Sequence, residues 1–226
     1  LIEKPLSDTP LHKEETMEII RESKSVIMLG YNLKFSSSLV FFKKKLDENI
    51  LGTVLSVRSE VGQYLPNWRP NIDYRKTVSS QKFLGGGVLL ELSHEIDYLI
   101  WIFGKINWVM AEVSKQSKLE INVEDTAHLI LGFDKKANGH HLIGNLSLDF
   151  IRHDTSRKCV VIGENGTLMW DGIAGQVSIL NKDKTQWEII FDHKDELNET
   201  LRKEWLYFLG CIKENISSDR KSTRLN

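Results

Sequence analysis

From Trp108 onward the chain keeps returning to one unit, a strand-length apolar or alternating segment closed by a short polar turn. Residues 108–113, 126–133, 142–150, 158–162, 166–170, 176–180 and 187–191 each read as a strand by length and by their period of two. Turn-forming clusters separate them at 134–139, 163–166 and 181–184, and Asn165-Gly166 is the strongest turn signal among these. Connections this short leave room for antiparallel hairpins and none for crossover helices. With 53–61 added, the pattern predicts an α+β layer: a large, mostly antiparallel sheet with helices on one face. A closing amphipathic helix is expected over 196–214.

Ahead of these strands stands Gly85-Gly86-Gly87, followed by Val88-Leu89-Leu90-Glu91-Leu92-Ser93-His94-Glu95-Ile96-Asp97-Tyr98. A single amphipathic helix here sets Glu91 and His94 three residues apart on one face. An imidazole titrates near neutrality, and a neighbouring carboxylate orients it or tunes it, so the pair suits proton transfer to or from a substrate oxygen. The glycines are expected to let a ligand approach the backbone where the first N–H groups of the helix point outward. A glycine triplet and one helical histidine also occur in ordinary structural roles, so the reading depends on the rest of the chain.

At the start, Leu1-Ile2-Glu3-Lys4-Pro5-Leu6 reads as the end of a buried strand, and the Lys4-Pro5 bond is of the type that adopts cis. Thr9-Pro10 reads as a helix N-cap with proline at the first helical position, and 11–23 as the helix. Residues 26–31 form a second short apolar strand. Strand, helix, strand is one βαβ unit of a parallel sheet.

Three motifs in order, Glu3-Lys4-Pro5, Gly30-Tyr31-Asn32-Leu33-Lys34-Phe35 and the block from Gly85 to Tyr98, resemble the Gfo/Idh/MocA family of NAD(P)-dependent oxidoreductases. The tract from Tyr64 to Arg75 looks like the branch in which such a segment precedes the glycine triplet. The resemblance covers about residues 1–218. It implies hydride transfer between a sugar or polyol C–OH and a nicotinamide, with Lys4 and His94 flanking the reacting carbon and Glu91 orienting the imidazole. It further implies Glu3, Lys4 and Pro5 beside the cofactor, NAD or NADP, and Tyr31, Lys34, Arg69, Tyr74, Arg75 and Asp97 toward the substrate.

Two departures stand out. The family's Asp four residues before the histidine is replaced by Glu91 at three, and Lys34 stands where many relatives carry arginine, whose fork an ammonium does not reproduce. No G-x-G-x-x-G turn occurs in the chain. The expected organisation is therefore 1–33 as the end of a dinucleotide-binding domain, 34–218 as the substrate and oligomerisation domain, and 219–226 as a translated sequencing adapter. A fragment so cut is expected to be inactive alone, with the cofactor held mainly by the missing half.

The formal net charge of −1 argues against a nucleic-acid partner. Lys43-Lys44-Lys45 backs onto Leu39, Phe42 and Leu46, as a solvated helix face does. No apolar run reaches the roughly 20 residues that span a bilayer. Cys159 and Cys211 show no disulfide or metal spacing and fit a cytoplasmic protein. His128, His140 and His141 lack a partner at ligand spacing, so no metal is expected; Arg152 and His153 are candidates for the cleft wall. In the family, the open sheet face packs on another subunit, which implies a homo-oligomer. Two other readings share the motifs: a noncatalytic relative serving ligand binding or assembly, and a relative acting by elimination or hydrolysis with bound NAD.

Overall fold

The alternation Ala127, Leu129, Leu131, Phe133 sends every second side chain of β5 (Thr126–Ala137) into the interior, at 9% exposure or less, and turns His128 and Ile130 outward. Leu142, Leu146 and Leu148 do the same on β6 (His140–Asp149). The computed structural model describes residues 1–9, 13–23, 25–137, 139–196 and 198–214. Pro10, Leu11, Asn138 and the 219–226 tail lie outside the described residues, and with them part of the first helix reading and the adapter reading.

Eight strands form one sheet. The others are β3 (Val54–Gly62), β4 (Ile106–Ser114), β7 (Ser156–Gly163), β8 (Gly166–Asp171), β9 (Gln176–Asn181) and β10 (Glu188–Asp192). Their order is β10-β9-β8-β7-β3-β6-β5-β4, antiparallel throughout except between β3 and β6. The expected mostly antiparallel sheet is thus present. Every strand-length segment read from residue 53 onward contributes to it. β3, first of these in the chain, lies in the middle, so the chain from β6 must pass its end before pairing back as β7. The β7–β8 turn is tighter than the glycine-flanked run suggests: Gly163 pairs with Gly166, leaving Glu164 and Asn165 as the loop. Between β5 and β6 the strands run through Asp134–Lys136, with a register shift between Phe133 and Lys136, where a longer turn was expected.

Helices α2 (Ser37–Asp47) and α4 (His94–Phe103), with the short α3 (Val88–Glu91), cover one face. The core joins Leu39 and Phe42 of α2 to Tyr98, Leu99 and Phe103 of α4, over Leu131, Phe133 and Trp170 of the sheet. Trp170 is wholly buried; its Nε1 donates to Ser38 Oγ at 2.9 Å and its ring meets Tyr98 edge-on at 5.4 Å. The indole thereby ties α2 and α4 to β8 at one point.

The opening segment forms β1 (Ile2–Glu3), α1 (Lys13–Glu22) and β2 (Leu29–Gly30), and β1 and β2 pair in parallel. The βαβ reading holds, but the first strand is not buried. Ile2 is 42% exposed, because only β2 flanks it and no layer lies over it among the described residues. The Lys4-Pro5 peptide is cis. The last helix, α5 (Glu199–Lys213), starts three residues later than expected. It packs against the turn at Asn32–Phe35, where Asn32 Nδ2 donates to Thr200 Oγ1 at 3.1 Å.

The sheet's other face carries Trp108, Met110, Ile130 and Ile143, each 36–64% exposed. Register places Met110 against Ile130, and Trp108 and Ile143 on either side of Gly132. The Trp108 ring lies over Gly132, where an added Cβ would stand 2.1 Å from it.

Candidate active-site cleft

One helix was expected from the glycine triplet to Tyr98, and two form. Ser93 Oγ turns back to the Leu90 carbonyl at 2.8 Å, competing with the backbone bond that would carry the helix on, and the chain breaks at Leu92-Ser93. Glu91 and His94 therefore do not share a helix face. Glu91 Oε1 pairs instead with Lys4 Nζ at 3.4 Å, its carbonyl accepts from the same ammonium at 2.8 Å, and its Oε2 accepts from Ser79 Oγ at 3.1 Å. The carboxylate places Lys4 and makes no hydrogen bond to the imidazole.

The glycines serve the chain itself. An added Cβ at Gly86 would lie 2.2 Å from the Val78 carbonyl oxygen, and one at Gly87 2.3 Å from Glu124 Oε1. The N–H groups expected to face a ligand are already taken. Gly86 N donates to Gln81 O, Gly87 N to Ser79 O, Val88 N to Glu124 O and Leu89 N to Glu124 Oε1, all at 3.0–3.3 Å. What approaches this backbone is the strap 77–84, and the expectation of a ligand there does not survive.

Lys4 and His94 do meet, on the wall of a cavity of about 310 Å³ bounded also by Gln63, Trp68, Glu91, Thr155, Ser156, Arg157 and Ile173. His94 Nδ1 is buried without a hydrogen-bond partner. Burial, followed by the positive charges of Lys4 and Arg157, depresses the imidazole to about 3, so the ring is neutral across the physiological range. The Tyr31 ring stands edge-on to it at 5.6 Å.

Behind the cleft, Glu95 is wholly buried and accepts from Arg157 Nε at 3.0 Å. Burial raises its carboxyl above the usual range, while Arg157 and a Tyr98 hydrogen bond oppose that. Lys34 and Asp97 answer each other at 3.0 Å, with the Lys34 ammonium 6.0 Å from the Tyr31 ring, and neither borders the cavity. Asp97 is likewise raised by burial, and its Oδ2 has no partner. Nearby Glu204 of α5, 1% exposed, is pushed up to about 7, chiefly by burial and next by the charge of Glu3.

The remaining sequence candidates lie elsewhere. Glu3 and Pro5 adjoin Lys4 in the chain without lining the cavity. Arg69 and Tyr74 border a separate hollow of about 10 Å³. Arg75, half exposed, pairs with Asp73 at 2.8 Å and Glu120 at 2.9 Å. Arg152 is held by Glu60 and Asp154, and His153 packs on the Tyr64 ring at 4.2 Å. The cleft takes Thr155, Ser156 and Arg157, just past Asp154 in the chain and passed over by sequence reasoning. Their only signal is position, at the entry to β7, the strand beside β3. His128 and His141 are engaged separately, by Ser147 Oγ and the Phe133 carbonyl. His193, Asp195 and Glu199 do cluster, but the Lys203 ammonium already contacts Asp195 at 2.9 Å and Glu199 at 2.7 Å.

A lysine that follows a parallel strand and a histidine that opens a helix thus line one cleft beside a mostly antiparallel sheet. Residues 40–169 match the GFO/IDH/MocA C-terminal domain, and the chain belongs to that family. A levoglucosan dehydrogenase of Pseudarthrobacter phenanthrenivorans is 26% identical over 137 residues, which is 58% of this chain and 34% of that protein. The structure of a levoglucosan dehydrogenase in complex with NADH superposes with a TM-score of 0.80 at 19% identity, over 95% of this chain and 64% of that one. An inositol dehydrogenase homologue from Azotobacter vinelandii, complexed with NAD+, gives 0.68 at 18% identity over 83% and 49%. The chain thus spans from a third to just under two thirds of these proteins. Among the described residues no helix is long and apolar enough to cross a membrane.

Proposed function

We propose that the chain is the substrate-binding and proton-transfer part of an NAD(P)-dependent dehydrogenase acting on a sugar or polyol CH–OH group. The observation that carries this is the convergence of Lys4 and His94, 90 residues apart in sequence, on one cleft of ligand size. The residues fit a dinucleotide: β1 and β2 are parallel, Lys4 follows directly on the carboxyl end of β1, where open parallel sheets bind nucleotides, and a buried imidazole nitrogen there lacks a partner. Such a cofactor supplies the hydride exchange, and Glu3, Lys4 and Pro5 would border it.

The chain's own part is the proton and the charge. His94, neutral at working pH, has a lone pair free to take the hydroxyl proton. Lys4 donates a hydrogen bond to the same oxygen and stabilises the negative charge that develops on it. Glu91, anchored by Ser79, holds Lys4 in place. Proton uptake by a buried imidazole beside two cations is unfavourable by itself. It becomes easier as negative charge develops on the substrate oxygen beside Lys4.

In the same reading, residues 1–33 close the dinucleotide-binding domain and 34–218 form the substrate and assembly domain of a cytoplasmic homo-oligomer. Trp108, Met110, Ile130 and Ile143 of the open face support a second copy as the covering layer. The test is to express the chain within its full reading frame and follow nicotinamide absorbance with a panel of sugars and polyols. Lys4→Ala and His94→Ala each lower kcat by about 10²- to 10⁴-fold. An intact protein that binds no dinucleotide refutes the proposal.

A further inference from the structure

The cleft's least expected wall is Arg157. Its Nε is occupied by Glu95, a carboxylate with no exposed surface, so one edge of the guanidinium is fixed from behind. Among the described residues neither Nη makes a hydrogen bond, and the side chain keeps 25% exposure on the wall of the cavity that also holds Lys4 and His94. Gly172 helps aim it: the Gly172 N–H donates to the Arg157 carbonyl at 2.8 Å, and a Cβ at Gly172 would come within 2.9 Å of Arg157 Cδ. A guanidinium held on one side, with its Nη donors unused, on a residue that lines a ligand-sized space, is preorganised for a planar acceptor.

Charge points the same way. Two cations, Lys4 and Arg157, and one carboxylate, Glu91, border the cavity, and Glu91 is committed to Lys4. Burial first, and then the nearness of both cations, lowers the His94 imidazole, so Lys4 and Arg157 stand close to the same ring. Glu95 answers one edge of Arg157 from behind the wall, so what a neutral polyol leaves without an ionic acceptor is the pair of Nη donors. A single fork matches the two oxygens and the single charge of a carboxylate, whereas a phosphate monoester brings nearly two charges, and the other cation of the cleft, Lys4, is paired with Glu91.

Resting on the dehydrogenase reading, we infer that Arg157 is a specificity residue that grips a carboxylate on the substrate, which makes the substrate class sugar acids, aldonates or uronates, oxidised at a hydroxyl beside Lys4 and His94. Glu95 is its positioning residue.

The experiment measures kcat/KM of the intact holoenzyme for D-gluconate and D-glucuronate against D-glucose and myo-inositol. Arg157→Lys, which keeps the charge and the pairing with Glu95 but loses the fork, lowers the acid-to-neutral ratio about 10- to 100-fold, mainly through KM, as expected for lost charge-assisted hydrogen bonds. Glu95→Gln, which keeps an acceptor for Nε, lowers the ratio less than Glu95→Ala. An unchanged ratio in Arg157→Lys, or a wild-type enzyme that prefers the neutral sugars, overturns the inference and leaves the dehydrogenase standing. Failure to reduce the cofactor with either class sinks the dehydrogenase reading instead. Calorimetric titration of the same protein with D-glucuronate then decides separately: binding at least tenfold weaker in Arg157→Lys supports the carboxylate site, and equal binding rejects it.

Discussion

Gly86→Ala is the sharpest perturbation this structure offers, because its effect is steric and owes nothing to a positive φ. The new methyl would lie 2.2 Å from the Val78 carbonyl oxygen and 2.9 Å from those of Gln81 and Ser79. A methyl carbon rests at roughly 3.5 Å from such a neighbour, so the Val78 oxygen must retreat by roughly 1.3 Å. These are backbone atoms of the short 3-10 turn Val78–Ser80 and of Gln81, which joins it to the turn Lys82–Leu84, not the ends of flexible side chains. Overpacking of this kind costs about 2–3 kcal/mol, and weakening the Gly86 N to Gln81 O hydrogen bond adds about 1 kcal/mol. With a urea slope of about 2 kcal/mol per molar, the unfolding midpoint falls by about 1.5–2 M. Gly210→Ala is the control: it lies inside α5 with nothing within 4 Å of its Cβ, and gains about 0.5–1 kcal/mol from helix propensity. Urea unfolding followed by tryptophan fluorescence reads both. A Gly86→Ala midpoint within about 0.3 M of the parent's would mean that the strap yields freely, and the argument that the glycine exists to admit it would be wrong.

Acid stability separates two buried groups of opposite sign. His94, lowered from 6.5 to about 3, leaves the unfolded chain binding the extra proton between those values, so its contribution is lost as pH falls through that window, by about 1.4 kcal/mol per unit. Glu204, raised from 4.5 to about 7, makes the folded chain bind the extra proton, and its penalty fades as pH falls from 7 to 4.5. Melting temperature measured across pH 4.5–6.5 therefore falls more steeply with acid in Glu204→Gln and less steeply in His94→Gln than in the parent, and parallel profiles would refute both assignments. On the open face, Met110→Lys combined with Ile130→Lys converts the proposed oligomer to monomers by sedimentation, with little change in melting, since both side chains are 40–64% exposed. Ser79→Ala frees Glu91 Oε2 and lowers kcat of the intact enzyme several-fold more than it raises KM, because Lys4 loses its support rather than its charge.

What the sequence determined by itself is whatever repeats locally. Period-two segments such as Ala127–Phe133 declare their buried face without reference to any partner, because a strand's side chains alternate whatever it pairs with. Short turns restrict neighbours to hairpins, so most of the sheet was legible; so was the parallel β1–β2 pair, from the helix between its strands. His94 was singled out by the helix pattern and Lys4 by motif resemblance, and the fold sets both on one cavity wall. No local pattern carries the insertion of β3 between β6 and β7, and that insertion brings the Thr155–Arg157 entry of β7 alongside Gly62 and Gln63 to build the cleft wall. The break at Leu92-Ser93 was hidden too, since a helical pattern does not reveal that Ser93 will bond back to Leu90 and release Glu91 to Lys4. Where Arg69, Tyr74 and Arg75 lie was hidden for the same reason: Asp73 and Glu120 hold Arg75, and Arg69 and Tyr74 border the small hollow beside Trp68 rather than the cavity of Lys4 and His94. Residue type limits what a side chain can do, while its partner is set by contacts between segments far apart in the chain, and only the packed structure decides those.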